Sequence, residues 1–224
     1  VNDVAAHLAR LGVVPVVAID RAADAAGLGE ALLAGGLPVA EITFRTAAAA
    51  DAIRVLRRAA PGVLVGAGTV LDPATVDAAH EAGARFVVTP GTNAAVVERC
   101  LRLGLPVVPG VNSPTGVETV RAMGLRLMKF FPAVPSGGLP MLRALHGPYP
   151  DVRFMPTGGI TAGTFRDWLA EPNVTAVGGT WIAPAALLAD RRFDEIARRA
   201  AQAAGADPAG RLTPSITNSP EETS

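Results

Sequence analysis

The chain has 224 residues, a formal net charge of +0, 18% charged residues and 4% aromatic residues. With no basic block and few rings, it lacks the electrostatic footprint for nucleic acid or an anionic membrane surface, and it lacks platforms for stacking bases. Half of the residues are hydrophobic, enough for a large core, yet no apolar run approaches the ~20 residues of a membrane span. The single cysteine, Cys100, has no partner in the chain for a disulfide, which fits a reducing compartment. These features predict a cytoplasmic globular protein with neither nucleic-acid nor membrane partners.

In chain order, a short helix is predicted over 2–10, followed by the β-branched run VVPVVAI at 13–19. Helical spacing over 22–35 and 47–59 brackets VAEITFR at 39–45. VLVGAGT (63–69) leads to a helix over 73–82, opened by Asp72-Pro73, and then to FVVTP at 86–90. LPVVPGV (105–111), a helix opened by Ser113-Pro114, and LRLMKFF (125–131) come next. RFMPTGG (153–159), a helix over 161–170 starting at Thr161, and VTAVGGT (174–180) complete the pattern. Gly36, Gly83, Gly104 and Gly124 stand where helices are predicted to end.

Eight strand-plus-helix units recur at intervals of roughly 20–27 residues, with near-continuous apolar strands that imply a parallel sheet. The predicted fold is therefore α/β: a closed (β/α)8 TIM barrel forming one domain over residues 1–204, with a short N-terminal helix. The open doubly wound sheet is the runner-up, but its glycine-rich loop follows the first strand, and here that strand ends in AIDRA. The Pro-, Ser- and Thr-rich segment 205–224 is predicted to be a disordered tail.

Period-two alternation sets the chemistry. In VAEITFRT, Glu41, Thr43 and Arg45 share one face, while Ile42 and Phe44 suit the helix layer. In LRLMKFF, Met128 and Phe130 point outward, leaving Leu127, Lys129 and Phe131 inside. The second and sixth strands are both even, and alternate strands fill the same layers of a barrel, so Glu41 and Lys129 are predicted to face one cavity.

Lys129 is the chain's only lysine among 20 Lys and Arg residues. A structural ion pair with Glu41, or a stem snorkelling to the barrel mouth, would account for a charge in an apolar run. Arginine serves a buried pair better, however, and arginine cannot release a proton to attack a carbonyl. The exception therefore reads as a nucleophilic amine, and the apolar neighbours Met128, Phe130, Phe131 and Pro132 favour its uncharged form. Glu41 opposite it is the natural proton shuttle.

Arg45 offers a bidentate grip on a carboxylate, and Thr69, closing its strand, offers a hydroxyl. As bare sequence Thr69 reads equally as a turn cap, and Thr89-Pro90-Gly91 reads as a turn. TGGI (157–160) and GGTW (178–181) are each ordinary turn signals. Placed together after the last two strands, they predict a phosphate site built from backbone N–H groups and a helix N-terminus. His7, His80 and His146 lack ligand spacing, so no metal site is predicted.

VVPVVAI, AEITFRT, VGAGTVLDP, TPG, KFFPA, PTGGI and GGTW fall in the order found in the bacterial 2-keto-3-deoxy-6-phosphogluconate (KDPG) and 4-hydroxy-2-oxoglutarate (KHG) aldolases, which the chain resembles over about residues 8–200. The resemblance implies a cofactor-free class I aldolase. Lys129 would form the Schiff base, Glu41 would act as acid and base, and Arg45 and Thr69 would hold the pyruvyl carboxylate. Pro90 of TPG and Phe131 of KFFPA would line the substrate. Thr157 would shape stereochemistry, and Gly158, Gly159, Gly178 and Gly179 would contact phosphate beside Thr180, where the family often has serine. The resemblance also implies a 2-oxo acid and a phosphorylated aldehyde as partners, a homotrimer, and a place in the Entner–Doudoroff route. Three alternatives stand beside it: a 6-phosphogalactonate-type aldolase, a non-aldol phosphate-binding barrel that uses Lys129 only as a charge, and a non-catalytic assembly protein.

Overall fold

The computed structural model describes residues 2–205; the predicted tail lies outside the described residues, apart from Gly205. Nine short strands and ten helices alternate among these residues, beginning with α1 (Asn2–Leu11). The strands are β1 (Val13–Val17), β2 (Val39–Thr43), β3 (Leu64–Gly68), β4 (Val87–Val88), β5 (Val107–Val108), β6 (Gly110–Val111), β7 (Leu127–Phe130), β8 (Arg153–Pro156) and β9 (Val177–Gly179). The remaining helices are α2 (Asp24–Ala34), α3 (Ala49–Ala59), α4 (Pro73–Ala82), α5 (Ala94–Arg102), α6 (Pro114–Ala122), α7 (Gly138–His146), α8 (Phe165–Leu169), α9 (Ala185–Ala189) and α10 (Phe193–Ala204).

All strand pairs are parallel. One sheet runs β5-β4-β3-β2-β1-β9 and the other runs β6-β7-β8. Two features join them into a ring. Bridges from Phe154 to Val174 and from Thr157 to Gly178 link β8 to β9. On the other side β5 and β6 are halves of one stave, parted at Pro109, which has no N–H for the ladder. Counted this way there are eight staves, as the spacing predicts. Pro15 within β1 is tolerated for a similar reason: pairing with β2 begins only at Val16.

Strands β1 and β2 are buried at every position, so both of their faces read as apolar runs. The helices form the outer layer, and two glycines set how closely they pack. A Cβ on Gly27 would strike the ring of Phe193, and one on Gly35 would overlap Ala200 and the carbonyl of Ala197, so α10 packs directly on the backbone of α2. Helix α1 lies by the N-terminal ends of the strands, with Leu8 fully buried and Val4 and His7 beside the loops that precede β4 and β5.

Helix starts follow local chemistry. The Asp72 carboxylate accepts the Thr75 N–H at 2.7 Å, and the Ser113 hydroxyl accepts the Gly116 N–H at 3.3 Å. Gly36, Gly83, Gly104 and Gly124 all take positive φ where helices end. The helix predicted from Thr161 instead begins at Phe165. Thr164 Oγ1 accepts the Thr161 N–H at 3.1 Å, so threonine side chains hold 161–164 in a turn in place of a first helical turn.

Candidate active site

Glu41 lies mid-strand in β2 and Lys129 near the end of β7. The barrel turns both inward, and Lys129 Nζ donates to Glu41 Oε1 at 3.3 Å. Their side chains are 5% and 0% exposed, respectively. The backbone fixes both ends of this contact. The Lys129 N–H donates to the Pro109 carbonyl at 2.8 Å, so the break between β5 and β6 sets the height of the lysine. On the other side Gly68 makes room for Glu41: a Cβ there would overlap the carboxylate. Met128 and Phe130 are fully buried against the core, as the alternation predicts.

The pair is underfilled. Glu41 Oε2 is enclosed with no hydrogen-bond partner, and so is the hydroxyl of Thr157. Buried polar atoms are nearly always paired, so two unpaired buried oxygens, one of them on the carboxylate that holds the amine, mark a place for a polar ligand. Phe131 is half-buried, with Lys129 Nζ 5.1 Å from its ring centroid. The loop that follows, with a cis Phe131-Pro132 bond, is tied to the end of β8: Ala133 N–H donates to the Thr157 carbonyl at 2.8 Å and Val134 N–H to the Gly158 carbonyl at 3.0 Å.

The remaining predicted residues fall into two groups. Thr69 closes β3, half-buried, with φ 56, a left-handed conformation that a threonine holds only when its surroundings enforce it. Pro90 lies against the stave next to Lys129, because its carbonyl sits where a Cβ on Gly110 would be. Gly158 and Gly159, at φ 106 and 81, form the turn after β8, partly exposed and exposed respectively. These positions crowd the C-terminal ends of the strands around the Lys129–Glu41 pair.

Three expectations are corrected. Arg45 is not an inward strand residue: β2 stops at Thr43, so Arg45 sits in the following turn, exposed, with its Nε 3.4 Å from Thr43 Oγ1. Gly178 and Gly179 are not a free loop. Both are buried strand residues of β9, with the Thr157 hydroxyl against Gly178 and the Trp181 ring against Gly179, and only Thr180 reaches solvent. The helix after Gly159 has five residues and starts six positions later, at Phe165, which moves its N-terminus away from the glycine turn.

Several contributors carried no motif of their own. Thr89 is buried, accepts the Gly110 N–H at 3.3 Å and donates to the Gly91 carbonyl, so it pins the TPG turn to the lysine's neighbouring stave. Thr43 donates to the Val17 carbonyl at 3.1 Å and links β2 to β1. Gly66 and Gly68 were detectable as a period-two pair of small residues, but only the opposing bulk of Phe86 and Glu41 explains them. Among the described residues no cluster of three or more His, Cys, Asp or Glu has the arrangement of a metal site.

A family model described as KDPG and KHG aldolase matches residues 4–199. The 2-dehydro-3-deoxy-phosphogluconate aldolase of Haemophilus influenzae is 49% identical over 191 residues, covering 85% of this chain and 90% of the relative. The KHG/KDPG aldolase of Escherichia coli K12 is 39% identical over 191 residues, with the same coverage. Among solved structures, the KDPG aldolase of Legionella pneumophila with pyruvate captured at low pH as a covalent carbinolamine intermediate has a TM-score of 0.85 and 38% identity, covering 88% of this chain and 96% of that one.

Proposed function

The chain belongs to the KDPG and KHG aldolase family, and we propose that it is a Schiff-base aldolase that cleaves 2-dehydro-3-deoxy-6-phosphogluconate, and also 4-hydroxy-2-oxoglutarate, through Lys129. The observation that carries this reading is the chain's one lysine, buried, with its amine 3.3 Å from a carboxylate whose second oxygen is free. The covalent pyruvate in the Legionella pneumophila relative supports an amine-linked intermediate.

The amine of Lys129 adds to the C2 carbonyl, and loss of one water gives an iminium. Glu41, directly or through a water, takes the proton of the C4 hydroxyl as the C3–C4 electron pair moves into the iminium. Glyceraldehyde 3-phosphate departs and an enamine remains. Glu41 returns the proton to C3, and one water hydrolyses the iminium to free pyruvate and the amine. Glu41 stays beside Lys129 throughout, so one carboxylate serves as base and then as acid. In this reading Arg45 and Thr69 hold the substrate carboxylate, and the Thr157 hydroxyl contacts the hydroxyl at the breaking bond. The phosphate lies against the Gly158–Gly159 turn and Thr180, with the N–H groups of that turn as donors. Gly178 and Gly179 shape this end of the site by leaving room for Thr157 and Trp181.

The KHG activity follows from the same pair, since the reacting atoms are shared and a phosphate held by a few neutral donors favours KDPG without excluding a short acid. Family membership also supports a homotrimer in the Entner–Doudoroff route. A cytoplasmic location fits the lone buried Cys100 and the lack, among the described residues, of a helix long and apolar enough to cross a membrane.

Pyruvate release from KDPG and KHG, measured side by side with borohydride trapping of pyruvate, tests the proposal. Both substrates should release pyruvate, faster for KDPG, and one reduced pyruvyl group should attach to the peptide containing Lys129. Absence of turnover with both acids, or an adduct that persists in Lys129→Arg, would overturn it.

A further inference from the structure

The N-terminal face of the barrel, opposite the strand ends that carry Thr69, Gly158 and Thr180, holds a second candidate site. A cavity of about 510 Å³ lies among α1, the ends of α3, α4 and α5, and the segments that lead into β3, β4 and β5. Its volume is within the range of small-molecule sites. Four basic side chains line it: His7, Arg57, His80 and Arg85. Among the described residues no acidic side chain lines it. Arg57 and Arg85 also line an adjoining cavity of about 250 Å³, with no acidic residue among its described lining.

In a chain of zero net charge, this is an unusual concentration of one sign. Nine of the chain's arginines are engaged at close range: Arg21, Arg54, Arg99, Arg121, Arg126, Arg143, Arg191, Arg198 and Arg199 form ion pairs within 3.0 Å. Arg126 and Arg153 on this same face donate to backbone carbonyls. Arg57 and Arg85 have neither an ion pair nor a hydrogen bond among the described residues, although each guanidinium carries five donors. The Arg57 side chain folds over Gly83, which ends α4 with φ 93, so its course is set by packing on a residue without a Cβ. Helix capping does not account for it, since Arg57 donates to no carbonyl of α4 among the described residues, and those of Ala79 and His80 receive the Gly83 N–H.

His7 adds to the pattern. Its Nδ1 lies 3.0 Å from Arg10 Nη2, and because arginine can only donate, Nδ1 accepts and the neutral ring carries its proton on Nε2. That nitrogen is enclosed with no partner. The wall of the cavity therefore combines two exposed guanidinium groups without a protein partner and two histidines.

We infer that this cavity binds a small oxyanion with phosphate chemistry, either free phosphate or the phosphate group of an esterified metabolite, at a site separate from the aldol centre. Planar guanidinium forks suit phosphate because their paired N–H groups match its oxygens.

Proton NMR of the three histidine rings tests this, because His7 and His80 line the cavity while His146 lies on α7 and serves as an internal control. Titration with inorganic phosphate, and separately with glycerol 1-phosphate, at ionic strength held constant with chloride, should give saturable shifts at His7 and His80 but not at His146. Tighter binding of the ester identifies an esterified metabolite; equal or weaker binding identifies free phosphate. Arg57→Gln and Arg85→Gln, made separately and together, should weaken the apparent affinity about tenfold or more for the pair, while KDPG turnover stays at the wild-type rate. That turnover also shows that the variants are folded. The inference is overturned if no saturable shift occurs, if His146 shifts equally, or if folded variants of both arginines bind phosphate as the wild type does.

Discussion

Two buried carboxylates in this molecule are treated in opposite ways. Asp24, on the outer helix layer at the start of α2, is 4% exposed and has both oxygens occupied: Arg21 Nε donates to one at 2.8 Å and Arg191 Nε to the other at 3.0 Å. Burial alone would raise its pKa, but hydrogen bonds from the two arginines outweigh it and hold the carboxyl below its ordinary value. Glu41, inside the barrel, is fully buried yet has a single partner, an amine at 3.3 Å, and an oxygen with none. The two arginines occupy both oxygens of Asp24. The lysine leaves lone pairs free and a proton able to move. The contrast separates a carboxylate with both oxygens occupied from one with an oxygen left unpaired, as the proposed Schiff-base chemistry at Lys129 requires.

The largest effect is expected at the amine. Lys129→Arg keeps the charge beside Glu41 but removes the nucleophile. Turnover of KDPG should fall by about 10⁴-fold or more and borohydride trapping of pyruvate should vanish, while thermal unfolding shows a folded protein. Retained trapping would reduce Lys129–Glu41 to a pair of the Asp24 kind.

Next comes the carboxylate. Glu41→Gln preserves shape and should still allow Lys129 to be trapped, but exchange of the pyruvate methyl protons with solvent should slow by ~10²-fold or more. Exchange at the wild-type rate would assign the proton transfer to another group. A smaller loss is expected from Gly68→Ala, whose Cβ overlaps the Glu41 carboxylate and pushes it off the amine. Because misplacement of a reacting group is costly, kcat should fall by about tenfold while the trapped adduct persists; unchanged kcat would show that β3 leaves more slack than its packing suggests.

Asp24→Asn should show the reverse profile: turnover unchanged, stability lowered by ~1–2 kcal/mol in urea unfolding. The sign of its pH dependence follows from the depressed value. The unfolded chain binds the proton first as pH falls, so the stabilisation is present above the ordinary carboxylate value of 3.8 and is lost as pH falls below it through the folded value. Stability in the variant should therefore lose part of its rise with pH in that acid window. The smallest effect concerns Cys100, fully buried in the outer layer, whose thiol is pushed up to about 11 by burial. It should stay unreactive toward a disulfide reagent at mildly alkaline pH until denaturant is added; rapid labelling of the folded chain would show that α5 opens readily.

The sequence by itself determined whatever depends on near neighbours. The Pro-led starts of α4 and α6, the glycine ends at Gly36, Gly83, Gly104 and Gly124, and the alternation that aims Glu41 and Lys129 inward all rest on interactions spanning a few residues. Those patterns were enough to specify eight staves and the pair that faces the cavity. Only the tertiary structure decided where each strand stops and what fills the space across it. Arg45 falls outside β2 because pairing ends at Thr43, and Gly178 and Gly179 are buried in β9 because β1, Thr157 and Trp181 close around them. Gly68 has meaning only against Glu41, and the basic cavity unites His7, Arg57, His80 and Arg85 from four separate segments. These features arise where the closing of the ring brings distant residues within van der Waals reach, and hydrophobic periodicity carries no record of which side chain will stand opposite another.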